Sequence, residues 1–269
     1  MMGVELIAEI GWNHMGDMGL AARMIEAAVG AGADYVKFQT WKVARLIDGP
    51  WDTDGRRQIY EKAELSRDDH YYLKSECDKR GVKFLSSIFS VKDLDFLRGL
   101  CDEVKIPSPE VCEEDLVLGC IENFKRVFIS TGALTADEFE KALSYLEHPN
   151  VWMLHCVSCY PCAHGNVNLP KFLHMMGRGE RVGYSGHLSG THDAIAAICH
   201  GAKVIEKHFT VDHELPGRDN QFAVLPEEFR TIHEFRINYA KMMQAHGLGM
   251  QDCEGDYRRH QKGRWNGHE

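Results

Sequence analysis

Apolar positions along the chain alternate between two patterns. Short β-branched or aliphatic runs read as strands at Leu6–Gly11, Tyr35–Thr40, Val82–Ser87, Glu103–Pro107, Arg126–Thr131, Val151–Val157, Arg181–Ser185 and Lys203–Phe209. Between them, apolar residues recur at three- and four-residue spacing, as in Leu20–Met24–Ala27–Ala28, Leu94–Leu97–Leu100 and Ala194–Ile198, which predicts amphipathic helices. Start signals stand before several of these helices: Asp17, Thr135, Ser189 ahead of the helix after the seventh strand, and Pro226 before Glu227-Glu228. Gly32 and Gly201 sit where a helix should stop. Strands spaced about 20 to 45 residues apart with a helix after each are repeated βα units. An open doubly wound sheet is the rival architecture. Eight evenly repeated units favour closure, and no Gly-rich dinucleotide turn follows the first strand, so the pattern predicts an α/β fold, a single-domain (β/α)8 TIM barrel over residues 1–250 with a polar, basic tail at 251–269.

Buried parallel strands should be almost wholly apolar, so polar residues at their C-terminal ends carry information. The first strand holds Glu9, with Asn13-His14 beyond it. The second holds Lys37 and Gln39, two apart and so on one face. The third ends in Ser86-Ser87, and the fourth has Lys105, then Ser108 and Glu110. Ser130-Thr131-Gly132 ends the fifth, and His155, Ser158 and Tyr160 follow along the sixth. The seventh offers Ser185 and His187, and the eighth Glu206, Lys207 and His208. One such residue is most simply a satisfied core or surface group. Polar residues at the same end of all eight strands point to a site.

Composition narrows the class of function. The 269 residues are 44% hydrophobic and carry a net charge of −9, the opposite of a nucleic-acid binder's basic face. An anionic substrate must therefore be held by a local group of cations and backbone donors working against the global field. No basic stretch with a long apolar core opens the chain, and no apolar run approaches the roughly 20 residues that span a bilayer. With nine cysteines and no export signal, the expectation is a cytoplasmic protein with reduced thiols, without membrane or nucleic-acid partners.

Two lysines with several hydroxyls and backbone amides suit a phosphate and carboxylate cradle. Two imidazoles at adjacent strand ends, His187 and His208, suit a divalent metal with open positions. Cys156, Cys159 and Cys162 have iron–sulfur-like spacing, but no fourth cysteine follows closely. A three-residue step along an extended strand would also turn Cys156 and Cys159 to opposite faces, so free thiols are expected.

The chain resembles the barrel domain of N-acetylneuraminate (sialic acid) synthases and their relatives that make legionaminic and pseudaminic acids. The resemblance rests on Ala8-Glu9-Ile10-Gly11-Trp12-Asn13-His14 with Gly16-Asp17, on Gly32 through Thr40, and on Ser130-Thr131-Gly132. It continues through His155-Cys156-Val157-Ser158 with Tyr160-Pro161, Val182 through His187, Gly201 through Thr210, and Pro216-Gly217-Arg218-Asp219. It implies condensation of the phosphoenolpyruvate methylene carbon with an open-chain aldose, an N-acetylated hexosamine such as N-acetylmannosamine or a relative, with release of phosphate.

By match, the resemblance implies that His187 and His208 bind Mn2+, with Mg2+ or Co2+ as alternatives. Lys37, Ser87, Lys105, Ser108, Ser130, Ser158 and Ser185 would hold phosphoenolpyruvate. Glu9 would move a proton or orient water, and Gln39, Glu110, Tyr160 and Asp219 would face the sugar. Three departures stand out. Gly186 replaces the family's usual Asp, which is expected to loosen the metal or water network. Ile88 stands where a Pro precedes the Phe of the third strand. The chain ends at Glu269, so a C-terminal antifreeze-like domain, which supplies an Arg to the partner subunit's sugar, is expected to be missing. Weaker or broader aldose selection would follow, unless the tail residues Arg258, Arg259, Lys262 and Arg264, a homodimer or a partner protein completes the site. Two other readings stay open: a synthase for another or a phosphorylated aldose, of the octulosonate or heptulosonate type, and a catalytically weak barrel acting as a partner subunit. No extra Arg or Lys pair follows the sugar-side strands, which argues against a second phosphate.

Overall fold

A computed structural model describes residues 3–265 and 267. Eight parallel strands close on themselves in chain order: β1 (Glu5–Glu9), β2 (Tyr35–Thr40), β3 (Lys83–Ile88), β4 (Glu103–Ile106), β5 (Arg126–Ser130), β6 (Val151–Cys156), β7 (Val182–Gly186) and β8 (Val204–His208). No strand bound moves by more than two residues from the sequence reading. The largest shift is at β1, which stops at Glu9 because Gly11 takes a positive φ of 55° and turns the chain out of the sheet. At β3, Ile88 continues the strand as a buried residue.

The outer layer contains α1 (Met18–Gly30), α2 (Arg56–Ala63), α3 (Arg67–Lys79), α4 (Leu94–Arg98), α5 (Glu114–Asn123), α6 (Ala136–Leu146), α7 (Leu169–Met176), α8 (His192–Cys199) and α9 (Pro226–Met242). Capping follows local chemistry. Asp17 accepts from Leu20 N, Thr135 and Glu138 form a reciprocal box, and Pro226 opens α9. Gly32 and Gly201 adopt positive φ just past the ends of α1 and α8. Ser189 does not cap α8. Gly190 bends the chain with φ of 81°, the helix starts at His192, and its N-cap Thr191 makes no side-chain bond. A last helix, α10 (Gly255–Gln261), is exposed, and of the tail's residues 266, 268 and 269 lie outside the described set.

Alternation along each strand sorts side chains between the barrel interior and the helix layer. Ile7, Tyr35, Leu85, Phe128, Leu154 and Val204 fill the interior. Below them, Tyr35 Oη donates to Glu103 at 2.8 Å, Arg126 pairs with Glu5, and the Arg126 guanidinium stacks 4.5 Å above Trp152. This polar and aromatic plug closes the N-terminal mouth. The interior opens into a cavity at the C-terminal ends of the strands.

Candidate active site

All fourteen residues assigned from sequence line one cavity of about 1100 Å³ at that open end. At its floor, Lys37 Nζ lies 2.9 Å from Glu9 Oε2 and 3.6 Å from Glu206 Oε2, and donates to Ser87 Oγ at 2.9 Å. Lys105 Nζ stands 3.4 Å from Glu206 Oε1, which also accepts from Ser185 Oγ at 2.9 Å. Gln39 Nε2 donates to the other Glu9 oxygen at 2.8 Å. These four charged side chains are almost completely buried.

Burial opposes every charge here, and the neighbours decide which survive. It pushes the Lys105 ammonium and the Glu9 carboxyl toward their neutral forms. For Lys37 the attraction of Glu206 and Glu9 outweighs burial and holds the ammonium above its ordinary value. For Glu206, Lys105 and Lys37 outweigh it and bring the carboxyl down to about 2. Of the two carboxyls, Glu9 is thus the one biased toward taking up a proton, and Glu206 the one held as an anion. Glu206 was not assigned a role from sequence, although its two-residue step from His208 places both on the inner face.

Beside the lysines, Gly132 N donates to Ser108 Oγ at 3.1 Å. A Cβ at Gly132 would stand 2.4 Å from Ser158 Oγ and 2.7 Å from Ser108 Oγ. The hydroxyls therefore close around a bare backbone, and the buried Ser130 Oγ has no hydrogen-bond partner among the described residues. The site is a cluster of hydroxyls and one amide next to two cations. Cys156 and Cys159 both line this cavity. The strand ends at Cys156, so the opposite-face argument made from an extended strand does not apply to them.

His187 and His208 rings lie 5.3 Å apart. His187 Nδ1 donates to Val157 O at 2.8 Å, which leaves Nε2 with its lone pair. Burial holds His187 down at about 4 and His208 well below its ordinary value, so both are neutral and ligand-competent. His208 Nδ1 is buried without a hydrogen bond among the described residues, 3.5 Å from Asp219 Oδ2. Among the described residues no three His, Cys, Asp or Glu side chains gather around one point. Two neutral imidazoles whose rings lie side by side are the donor type that suits a divalent ion with open positions.

Toward the rim, Asp219 Oδ2 accepts from Trp12 Nε1 at 2.5 Å, and burial lifts this carboxyl to about 7. Trp12 stacks on Tyr60 at 5.1 Å, and Tyr160 lies 4.0 Å from the His187 ring. Half-buried Glu110 lines the same rim. Trp51, Arg56 and Tyr60 reach it from the segment between β2 and α3, and Arg218 from the loop after β8. Sequence reading missed these, because periodicity does not say which way a long loop folds. It also found no extra Arg or Lys pair following the sugar-side strands; in the structure Arg56 and Arg218 line the rim. Arg56 is paired with Asp54, whereas Arg218 makes no ion pair among the described residues. The tail's Arg258, Arg259, Lys262 and Arg264 do not reach the cavity.

Alternation turns other polar residues of these strands away. His155 Nε2 bonds to Val167 O, and Lys207 Nζ bonds to Asp193 and to Leu188 O. Gly186 also faces outward. A Cβ there would stand 2.3 Å from Asp193 Oδ2 and 2.4 Å from Tyr184 Cε1. The missing side chain at 186 thus belongs to the wall behind the imidazoles, where the Asp193 carboxylate occupies the neighbouring volume.

The NeuB family profile matches residues 24–247. The chain is 34% identical over 245 residues to N,N'-diacetyllegionaminic acid synthase of Campylobacter jejuni, covering 84% of this chain and 73% of that one. It is 30% identical to pseudaminic acid synthase of the same species, over 85% of this chain and 71% of the other. The solved N-acetylneuraminic acid synthetase of Leptospira borgpetersenii, in complex with citrate, superposes with a TM-score of 0.84 at 29% identity, over 96% of this chain and 92% of that one. The barrel of 3-deoxy-D-arabino-heptulosonate 7-phosphate synthase from Thermotoga maritima shares the fold, with a TM-score of 0.66 at 13% identity over 89% of this chain and 87% of the other. On the motifs, the barrel and the cavity together, the chain belongs to the NeuB family.

Proposed function

We propose that this chain condenses phosphoenolpyruvate with an open-chain aldose, an N-acetylated hexosamine in the first place, to give a nonulosonic acid and inorganic phosphate. One observation carries the reading: two buried lysines and a hydroxyl–amide cradle sit next to a pair of neutral imidazoles, in one cavity. In this reading Lys37 and Lys105 face the anionic groups of phosphoenolpyruvate, and Ser87, Ser108, Ser130, Ser158 and Ser185 with the Gly132 amide hydrogen-bond its oxygens. The reaction forms a bond between the methylene carbon and the aldehyde carbon, adds water at the enol carbon, and breaks that carbon's bond to the phosphate oxygen. Glu9, bonded by Gln39 and biased by burial toward its protonated form, would move the proton or orient the water. Gln39, Glu110, Tyr160 and Asp219 line the side left for the aldose. A divalent ion, Mn2+ first and Mg2+ or Co2+ as alternatives, would be held by His187 and His208 and would supply Lewis acidity toward the aldehyde oxygen. Binding both substrates in one cavity supplies the orientation that a bimolecular step lacks in water.

A second reading is favoured by Arg218. A rim cation without an ion partner among the described residues suits an aldose that carries its own phosphate. A relative from Drosophila melanogaster, 31% identical over 88% of this chain, is named N-acetylneuraminate-9-phosphate synthase. Phosphate release measured with phosphoenolpyruvate, Mn2+ and a panel of plain, N-acetylated and phosphorylated aldoses separates the two. Release with N-acetylhexosamines is the expected outcome. A preference for the phosphorylated sugars that Arg218→Ala removes would favour the second reading, and no release with any aldose would overturn both.

A further inference from the structure

Behind the candidate metal pair lies a second buried cluster, Lys207, Asp193 and Tyr184, whose residues are not among those lining the cavity. Lys207 projects outward from β8, and its Nζ stands 3.0 Å from both carboxylate oxygens of Asp193 and 2.5 Å from Leu188 O. Asp193 comes from the first turn of α8, where its Oδ1 also accepts from Ala194 N and its Oδ2 from Tyr184 Oη at 3.1 Å. Lys207 and Asp193 are both almost completely buried. Leu188 directly follows His187, and Lys207 directly precedes His208. One ammonium–carboxylate pair therefore ties the segment carrying one imidazole to the strand carrying the other.

The backbone makes room for it. Gly186 lies between these parts, and a Cβ there would run into the Asp193 carboxylate and the Tyr184 ring. Positions 186 and 193 therefore compete for one volume, and only one of them can bring a side chain to Lys207. A buried pair of this kind is a weak source of stability, because desolvation cancels much of its attraction. Its geometric effect is the larger one: groups that bond a ligating imidazole directly typically change metal affinity about 10- to 100-fold, and this pair acts one step further out, through the backbone beside each ring.

We propose that Asp193 is a positioning residue that, through Lys207 and the Leu188 carbonyl, fixes the relative placement of the His187 and His208 rings, and that glycine at 186 is what allows α8 to deliver this carboxylate. It follows that the carboxylate can be supplied from the strand instead. The inference rests on the reading of His187 and His208 as metal ligands only for its metal readout.

The test uses the full chain with Asp193→Asn, Gly186→Asp, and the double variant Gly186→Asp/Asp193→Gly. Free Mn2+ is followed by electron paramagnetic resonance, and the side-chain ¹⁵N resonances of His187 and His208 are recorded on metal-free protein. Asp193→Asn should weaken Mn2+ binding several-fold, up to about tenfold, and the His187 and His208 side-chain resonances should shift from their parental positions. The double variant should recover parental resonances and most of the affinity, while Gly186→Asp alone should not match the parent. Parental Mn2+ affinity and parental histidine spectra in Asp193→Asn would overturn the inference. So would a double variant that folds without recovering them. If the parent itself binds no Mn2+, the metal reading fails, and the metal-free spectra alone decide the positioning role. Should Asp193→Asn not fold, the double variant decides: parental spectra support the relocated carboxylate, and failure to fold overturns it.

Discussion

Nζ of Lys37 on β2 stands 3.6 Å from Oε2 of Glu206 on β8, across the intervening strand β1. With Glu9 on that strand, the lysine has two carboxylates within ion-pair reach, and Lys105 shares the second of them. The floor of the cavity therefore pairs two lysines with two carboxyl groups, Glu9 and Glu206. An anionic substrate has to compete for these lysines, and each lysine has a second task in the ligand-free barrel.

Lys37→Met should accordingly do two things. Removing one member of a buried charged pair costs roughly 3–5 kcal/mol, because the partner stays buried and unpaired. Phosphoenolpyruvate should bind at least tenfold more weakly, since a fixed cation disappears from a dry site. Chemical denaturation measures the first and calorimetry the second. Parental affinity for phosphoenolpyruvate in a folded Lys37→Met protein would show that the cradle is elsewhere.

His187→Ala and His208→Ala should each remove metal-dependent turnover while leaving the barrel folded. Neither ring is needed to close the sheet, and both sit at strand ends above the packed interior. Circular dichroism with a Mn2+ titration checks this. Full activity in either variant with the metal requirement intact would remove that histidine from the ligand set.

Burial also makes one stability effect predictable. His14 accepts a bond from Gly16 N on Nδ1, and burial lowers it from 6.5 to about 4. Below about pH 6.5 the unfolded chain binds a proton at this position that the folded chain refuses until about pH 4. Its contribution to stability is therefore lost as pH falls through that window, by up to about 1.4 kcal/mol per pH unit. Asp219 and Glu9 are held high and take up protons in the folded state, which tilts the total the other way. The comparison is thus between the parent and His14→Gln, by denaturation at about pH 7 and about pH 5. The parent should lose more stability than the variant over that interval, and equal losses would contradict the assignment.

The barrel was legible because both of its signals are local. Strand runs and helix periods each repeat within a few residues, and a polar residue at the end of an apolar run stands out. What period-2 alternation adds was not fully used. It separates inward Glu206 and His208 from outward Lys207, and inward Cys156 from outward His155. Glu206 was visible as a type and missed as a role, because its importance comes from lysines on two other strands. Trp12, Arg56 and Arg218 depend on how loops fold over the mouth, which no short-range pattern encodes. Asp193 is the plainest case: its carboxylate matters because of a glycine seven positions earlier, and only the packed structure puts the two side by side.

Gly132→Ala isolates the hydroxyl cradle from the charges. The added methyl carbon would stand 2.4 Å from Ser158 Oγ, 2.7 Å from Ser108 Oγ and 3.2 Å from Cys156 Sγ. Contacts that short cannot persist, so the hydroxyls must rotate or the loop must shift. Ser158 is exposed and can swing, whereas Ser108 is buried in a tight turn and bonded to the Gly132 amide. The strain should therefore fall mainly on that one hydrogen bond, at a stability cost of about 1–3 kcal/mol. Lys37, Lys105 and the imidazole pair keep their partners, since none of them is among the atoms nearest the added carbon. In the proposed reaction the amide and hydroxyls hold phosphoenolpyruvate oxygens, so its affinity should drop about tenfold or more, as expected when charge-assisted bonds are lost. Mn2+ affinity should stay at the parental value. Calorimetric titration of each ligand into the same folded variant reads both. A variant that loses Mn2+ binding and keeps phosphoenolpyruvate affinity would mean that this corner serves the metal, and the division of the cavity argued above would be wrong.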